Sequence, residues 1–389
     1  MSAGLVFVLL SLPANRLHKT MKLINIYHKL RRKNPYRRKK LKELFKLVND
    51  PLLSAAYFPE SERKPKTVMW WDNLLWLTKF GEVNKYYYVY GLDRKQGSDS
   101  KDFISYINFY RKRDSRNLRP NKENYSYVCL LRDKFIFGQF MSSLGFSTPK
   151  NLALLDSDEV IWLSDMKSMP LNSLIENKQI NINGFCKRLT GILGEGAFPL
   201  KISGGKVYIK DEEITFNQLK ETLNGKYLWQ NLLTQHPLMS ELHPPSVNTM
   251  RIVSFNNNGK VEIFSAALRI GTKGRSVDNG GAGGILVGID LQTGKLKKEG
   301  FYKPGYGTKT EKHPDTGIIF ENFQIPFFAE SVDLVGKLHN YFYGIHSVGW
   351  DVAITLEGPM FIEGNDDWNI PFPTGTEKDF KSRFLKMYE

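Results

Sequence analysis

At 389 residues the chain can bury a large core and divide into two or three domains, and 13% aromatics with ordinary glycine and proline content exclude a fibrous or disordered protein. Two cysteines, Cys129 and Cys186, exclude a disulfide framework and a CxxC metal site; both are expected to be packing residues in a reducing compartment. The formal charge of +15 is uneven, because residues 1–47 hold thirteen Lys or Arg against one acid, Glu43, and so carry +12.

The apolar run at 4–10, closed by Pro13, is far shorter than the roughly 20 residues needed to span a bilayer. It also lacks a charged region before it and a small-residue cleavage site after it, which weakens a signal-peptide reading; a start of translation at Met21, leaving the first twenty residues without structure, is the simpler alternative. The basic arm that follows, dense at Arg31-Arg32-Lys33 and Arg37-Arg38-Lys39-Lys40, suits nucleic acid, an anionic membrane surface or a solvated helix face. A nearly neutral body leaves no extended basic groove, so no nucleic acid is expected, and peripheral membrane contact through residues 16–46 is the stronger expectation. Residues 21–60 read as basic helix, with Ile24, Tyr27, Leu30, Leu41, Leu44, Phe45 and Val48 near helical spacing and breaks at Pro35, Pro51 and Pro59. In the aromatic stretch 64–130, Trp70, Trp71 and Trp76 offer a stacking surface or, as their spacing among charged residues favours, core packing.

Asp133-Lys134 opens a helix with Leu131, Phe135, Phe140 and Leu144 on one face, Gly145 stops it, and Thr148-Pro149 leads to a strand at 152–155. Lys187 then precedes a loop with glycines at Gly191, Gly194 and Gly196, where backbone N–H groups can approach phosphate; a plain hairpin is the alternative. No Walker A loop and no protein-kinase HRD or DFG string occurs. After a helix at 215–223, residues 227–233 read as a strand linking two subdomains. The run Ser246-Val247-Asn248-Thr249-Met250-Arg251-Ile252 enters a strand, 256–259 form a turn, and the return strand ends Leu268-Arg269-Ile270-Gly271, so Arg251 and Arg269 lie on adjacent antiparallel strands, able to clamp phosphate or an acyl phosphate. A Gly-rich segment at 276–285 is a linker or a shaped loop before a strand at 286–290. His313, alone, is expected to be structural. A helix at 330–342 leads to a hairpin around Glu357-Gly358-Pro359 whose strands bring Asp351, Glu363 and Asn365 together; these oxygens suit a hard cation such as Mg²⁺, or are merely solvated strand ends.

In this order the strings resemble the sugar-transfer-associated ATP-grasp family over residues 131–370, the SVNTxRI and LRIG runs most specifically. The resemblance implies an α+β fold in which two α+β subdomains, 131–228 and 229–389, clasp ATP behind the arm 1–47 and a mostly helical region 48–130. It implies that Lys134 and Lys187 reach the nucleotide phosphates under the 191–196 flap, and that Trp229, Gln230 and Asn231 form the adenine and ribose linker. Gln230 stands where the family carries an acid. The DN…GG string places Asp278, Asn279, Gly283 and Gly284, with Asn248, on the substrate side, and Asp351, Glu363 and Asn365 on Mg²⁺. The implied activity is an ATP- and Mg-dependent carboxylate–amine ligation through an acyl phosphate that modifies a bacterial surface polysaccharide or its precursor, in the cytoplasm or at the inner membrane face. Rival readings are a nucleotide-binding scaffold without turnover and a nucleic-acid-binding protein that uses the arm.

Overall fold

The structure, a computed structural model, describes residues 35–118, 127–191, 196–342 and 344–389. It divides into two compact units, Met1–Ser98 and Asp99–Glu389. Most of the basic arm, including residues 16–34, lies outside the described residues.

In the first unit, helix α1 (Pro35–Asn49) buries Leu44, Leu47 and Val48 while Phe45 is 64% exposed. The apolar stripe is therefore shifted from the expected one, Leu47 taking the place of Phe45. Helix α2 (Lys66–Phe80) ends at Gly81, whose φ of 76° and N–H to Leu77 O form a left-handed cap that favours glycine. Trp76 is buried and Trp70 meets Trp71 edge-on at 4.8 Å, so these rings serve packing, as their spacing suggests.

The second unit opens with α3 (Tyr106–Asn117), α4 (Cys129–Arg132) and α5 (Lys134–Ser143). Asp133 caps α5, its carboxylate accepting from Phe135 N and Ile136 N, and Gly145 at φ 77° closes it, as the sequence predicts. An eight-stranded antiparallel sheet follows, built from β1 (Asn151–Leu155), β2 (Glu159–Trp162), β3 (Ser168–Pro170), β4 (Asn181–Arg188), β5 (Phe198–Ser203), β6 (Lys206–Ile209), β7 (Glu212–Ile214) and β8 (Tyr227–Asn231), in the order 3-2-1-8-4-5-6-7. Its short helices are α6 (Ser173–Glu176) and α7 (Phe216–Thr222), the latter opened by a capping box between Thr215 and Gln218. Cys186 is buried in this core, whereas Cys129 is exposed, against the expectation that both pack.

Beyond α8 (Pro237–Leu242) lies a seven-stranded sheet of β9 (Thr249–Asn257), β10 (Lys260–Ile270), β11 (Ile285–Ile289), β12 (Leu296–Tyr302), β13 (Lys309–Thr310), β14 (Ser347–Thr355) and β15 (Gly358–Asn365), ordered 13-12-11-10-9-14-15. One face packs Met250, Ile252, Trp350, Val352, Ile354 and Phe361 against α5 and α9 (Phe328–His339). Helix α10 (Phe380–Lys386) and α3 join Phe109, Phe255, Trp368, Phe380 and Phe384 in a second cluster.

Beneath β14, Trp350 Nε1 donates to Ser254 Oγ at 2.8 Å, Ser254 meets His339 Nδ1 at 2.8 Å, and His339 Nε2 lies 3.1 Å from Ile345 O. A carbonyl only accepts, so the proton sits on Nε2 and Ser254 donates to Nδ1. Burial pushes the His339 pKa down to about 4, against the Ile345 carbonyl, which favours the proton. The unfolded chain binds that proton near pH 6.5, so stability is full above that pH and falls as pH drops from there toward 4, by about 3 kcal/mol at the limit. Burial pushes His346 down to about 4 as well, so denaturant midpoints measured from pH 7 to pH 4 should show both losses, and His339→Gln should remove only its own share.

Candidate functional site

The register of the second sheet sets the site. Asp351 on β14 lies opposite Arg251 on β9 and opposite Glu363 on β15, and Arg269 on β10 lies opposite Thr249, two positions along β9 from Arg251. Side chains alternate along a strand, so Arg251, Arg269, Asp351 and Glu363 leave the same face, the one opposite the Trp350 and Val352 core. Glu363 reaches that face through an irregularity: Asp351 pairs with Glu363 but Val352 with Phe361, which leaves Ile362 as an extra residue. This β-bulge switches parity, so that Phe361 points into the core while Glu363 and Asn365 point to the site. Asn365 Nδ2 donates to Gly349 O at 3.2 Å and approaches Glu363 Oε1 at 3.4 Å.

Asp351 is fully buried, and both its oxygens are engaged. Arg251 donates from Nε at 2.5 Å and from Nη2 at 3.0 Å, and Arg269 Nη1 lies 2.9 Å from Oδ2. Burial alone would favour the proton, but the two guanidiniums hold the Asp351 carboxyl well below the usual range. Burial and the Asp351 charge push Glu363 the other way, so of this pair Glu363 keeps its proton longer. Gly349 makes room for the arginine: a Cβ there would lie 2.8 Å from Trp368 Cβ and 3.2 Å from Arg251 Cδ.

Arg269 is braced from its other side. Its Nη2 lies 3.3 Å from Asp278 Oδ1, and Asp278 Oδ2 accepts from Thr249 N at 3.0 Å and Thr249 Oγ1 at 2.5 Å. The remaining loop residues shape the loop itself: Asn279 Oδ1 accepts from Gly281 N at 2.8 Å, Gly283 takes φ 90°, and a Cβ on Gly284 would lie 2.4 Å from Asp278 O. Asn248, expected to meet substrate, is buried with its Nδ2 on Met239 O and His243 O and its Oδ1 on Ser246 Oγ and Gly271 N, which leaves it no polar atom to offer. His313 is buried with Nε2 at 2.8 Å from Gly271 O, a structural tie on the same loop.

At the start of α5, Lys134 donates from Nζ to Gly191 O, and Lys187 is the last residue but one of β4, just before the glycine loop. Burial pushes the Lys187 pKa down, partly offset by the charge of Glu363, and Lys134 acts on Glu363 as well, so both lysines share the electrostatic field of the second sheet's acids. Gly196 takes φ 69° against Arg188 and Tyr227; Gly194 lies outside the described residues. Trp229 is buried in the core of its sheet, in register with Ala153 and Cys186 on either side. The Gln230 amide donates to Asn151 Oδ1 at 2.8 Å, and Asn231, exposed, donates its N–H to Lys150 O at 3.0 Å.

Among the described residues no three His, Cys, Asp or Glu side chains could hold a metal. Two carboxylates and an amide fit Mg²⁺ only as a partial set, the kind that nucleotide phosphates and water complete.

Residues 113–376 match the model of the sugar-transfer associated ATP-grasp family. The chain belongs to this family. No curated protein matches it. Among solved structures it is similar to the L-amino acid ligase of Bacillus licheniformis, at 11% identity over 62% of this chain and 41% of that one, TM-score 0.32. It is also similar to D-alanyl-alanine synthetase A of Vibrio cholerae, at 11% identity over 67% and 66%, TM-score 0.37. A third is the biotin carboxylase domain of Hydrogenobacter thermophilus 2-oxoglutarate carboxylase, crystallised with MgADP, ADP and bicarbonate, at 13% identity over 67% and 45%, TM-score 0.38. The chain thus spans less than two thirds of the length of these relatives.

One residue of this ATP-grasp site escapes sequence reasoning. Arg132 makes a bidentate pair with buried Asp366, Nε at 3.0 Å and Nη2 at 2.8 Å, tying the entry of α5, and so Lys134, to the end of β15 beside Asn365. Adjacency of Arg132 to Lys134 and of Asp366 to Asn365 was the available signal, too slight to pair residues 234 positions apart.

Proposed function

We propose that this chain is an ATP- and Mg-dependent carboxylate–amine ligase whose substrates are sugar-linked. The carrying observation is the convergence of Lys134 at the start of α5 and Lys187 on the first sheet with Arg251, Arg269, Asp351, Glu363 and Asn365 on the second. Four cations against three acids, Asp278 included, suit a polyanion whose charge shifts during reaction, and such sites act by positioning and electrostatics. Lys134 and Lys187 bind the phosphates, Arg251 and Arg269 orient Asp351, and Asp351, Glu363 and Asn365 hold Mg²⁺. When bound, that ion would supply charge neutralisation to the phosphates. A carboxylate oxygen attacks the γ-phosphorus and ADP leaves with the bridging electron pair. An amine then attacks the acyl carbon, expelling phosphate and losing a proton to solvent. The family's sugar-transfer association supports a glycan precursor as one partner.

The test is ADP release from ATP and Mg²⁺ on adding paired sugar acids and amines. ADP formed only when both are present supports ligation; tight ATP binding with no pair giving turnover favours the scaffold.

No described helix is long and apolar enough to cross a membrane. The arm is the proposed means of placing the enzyme against an anionic inner leaflet, with each Lys or Arg contributing about 1 kcal/mol. Vesicle binding should fall on deleting residues 1–34, a cut that spares α1.

A further inference from the structure

Lys303 follows directly on β12, and nothing in the reading above uses it. Phe301 pairs with Leu286, Leu286 with Arg269 and Arg269 with Thr249, so these four share one face. Two positions beyond Phe301, Lys303 leaves the sheet on that same face, the face of Arg251 and Asp351. Its stem lies on Gly280, where a Cβ would meet Lys303 Cε at 3.3 Å and Cδ at 3.6 Å. A Cβ there would also lie 2.8 Å from Leu286 Cδ1, so glycine lets the loop lie close over Leu286 with the Lys303 stem beside it.

The charge of that side chain is uncompensated. Arg251 and Arg269 are matched by Asp351 and Asp278. Lys303 is half-buried, and among the described residues no acid pairs with it. Burial and the charges of Arg251 and Arg269 push its pKa down, the mark of a cation crowded by cations. A half-buried ammonium without a counter-ion is costly unless a ligand provides one. Its place says which ligand. Mg-binding oxygens lie on β14 and β15, the arginines on β9 and β10, and Lys303 after β12, so an anion touching Lys303 lies on the side of Arg269 remote from the metal edge.

We propose that Lys303, seated on Gly280 beside Arg269, binds the carboxylate of the acid substrate. The proposal rests on the ligase reading and names the residue that receives the group to be activated. Arg269 contributes orientation, and Lys303 contributes the free charge.

The test is equilibrium binding to the full chain of three probes: MgADP, D-glucuronate and inorganic phosphate, in wild type, Lys303→Met and Lys303→Arg. Glucuronate should bind wild type and be weakened roughly tenfold to a hundredfold in Lys303→Met, the size of one charge-assisted contact, while Lys303→Arg recovers most of it. MgADP affinity should stay unchanged in both, which also shows that the variants are folded. Phosphate competing equally with glucuronate would show an anion site without carboxylate preference and overturn the assignment to the acid substrate. Unchanged glucuronate binding in Lys303→Met, or no binding of it by wild type, overturns the proposal, as does a parallel loss of MgADP, which would give the lysine to the nucleotide. Failure of wild type to bind MgADP would instead strike the ligase reading, and the glucuronate arm still decides Lys303.

Discussion

Asp351→Asn is expected to destabilise the second unit by about 3–5 kcal/mol, besides abolishing ADP formation, because it removes the single carboxylate that two guanidiniums share. Arg251 and Arg269 are less than one fifth exposed, so water cannot replace the lost charge. Asp278 still faces Arg269, but among the described residues Arg251 pairs with no other acid and would remain as an uncompensated cation. Urea midpoints of wild type and variant measure the loss. A midpoint that does not move would mean the arginines are solvated, and the buried pairing described here would be wrong.

Glu363→Gln should separate chemistry from folding. Burial and the Asp351 charge both disfavour a negative Glu363, so an amide of the same shape should disturb the metal-free protein less than the loss of Asp351 does. It cannot supply negative charge to a cation. Mg²⁺ with ADP at about 100 times its dissociation constant should stabilise wild type by about 2.7 kcal/mol, and the variant should lose most of that gain along with ADP formation. Equal thermal shifts in the two proteins would remove Glu363 from the metal set.

Much of this site was legible in the sequence because its parts sit beside strong local signals. Asp133-Lys134 announces a helix start, Asn256 to Gly259 a turn that puts Arg251 and Arg269 on neighbouring strands, and Glu357-Gly358 a turn that brings Asp351 near Glu363. Contacts that depend on register were not legible. Strict alternation would put Phe361 and Glu363 on one face, and only the extra Ile362 separates them; no residue type marks that bulge. Nor does composition tell a carboxylate waiting for a metal from one already paired with arginines, since both are an Asp in a β-rich run. Asn248 shows the same limit, because a polar residue in a distinctive motif can serve the loop it sits in.

The cluster around Phe255 and Trp368 sets how the fold can be taken apart. Phe109, Phe380 and Phe384 are buried there, and all three fall outside residues 113–376 by which the family is recognised. A fragment trimmed to that stretch strips the cover from Phe255, Phe264 and Trp368, and an aromatic surface bared in that way promotes self-association. Any exchange of this body between proteins must carry α3 and α10 with it, so the portable piece is longer than the stretch that announces it.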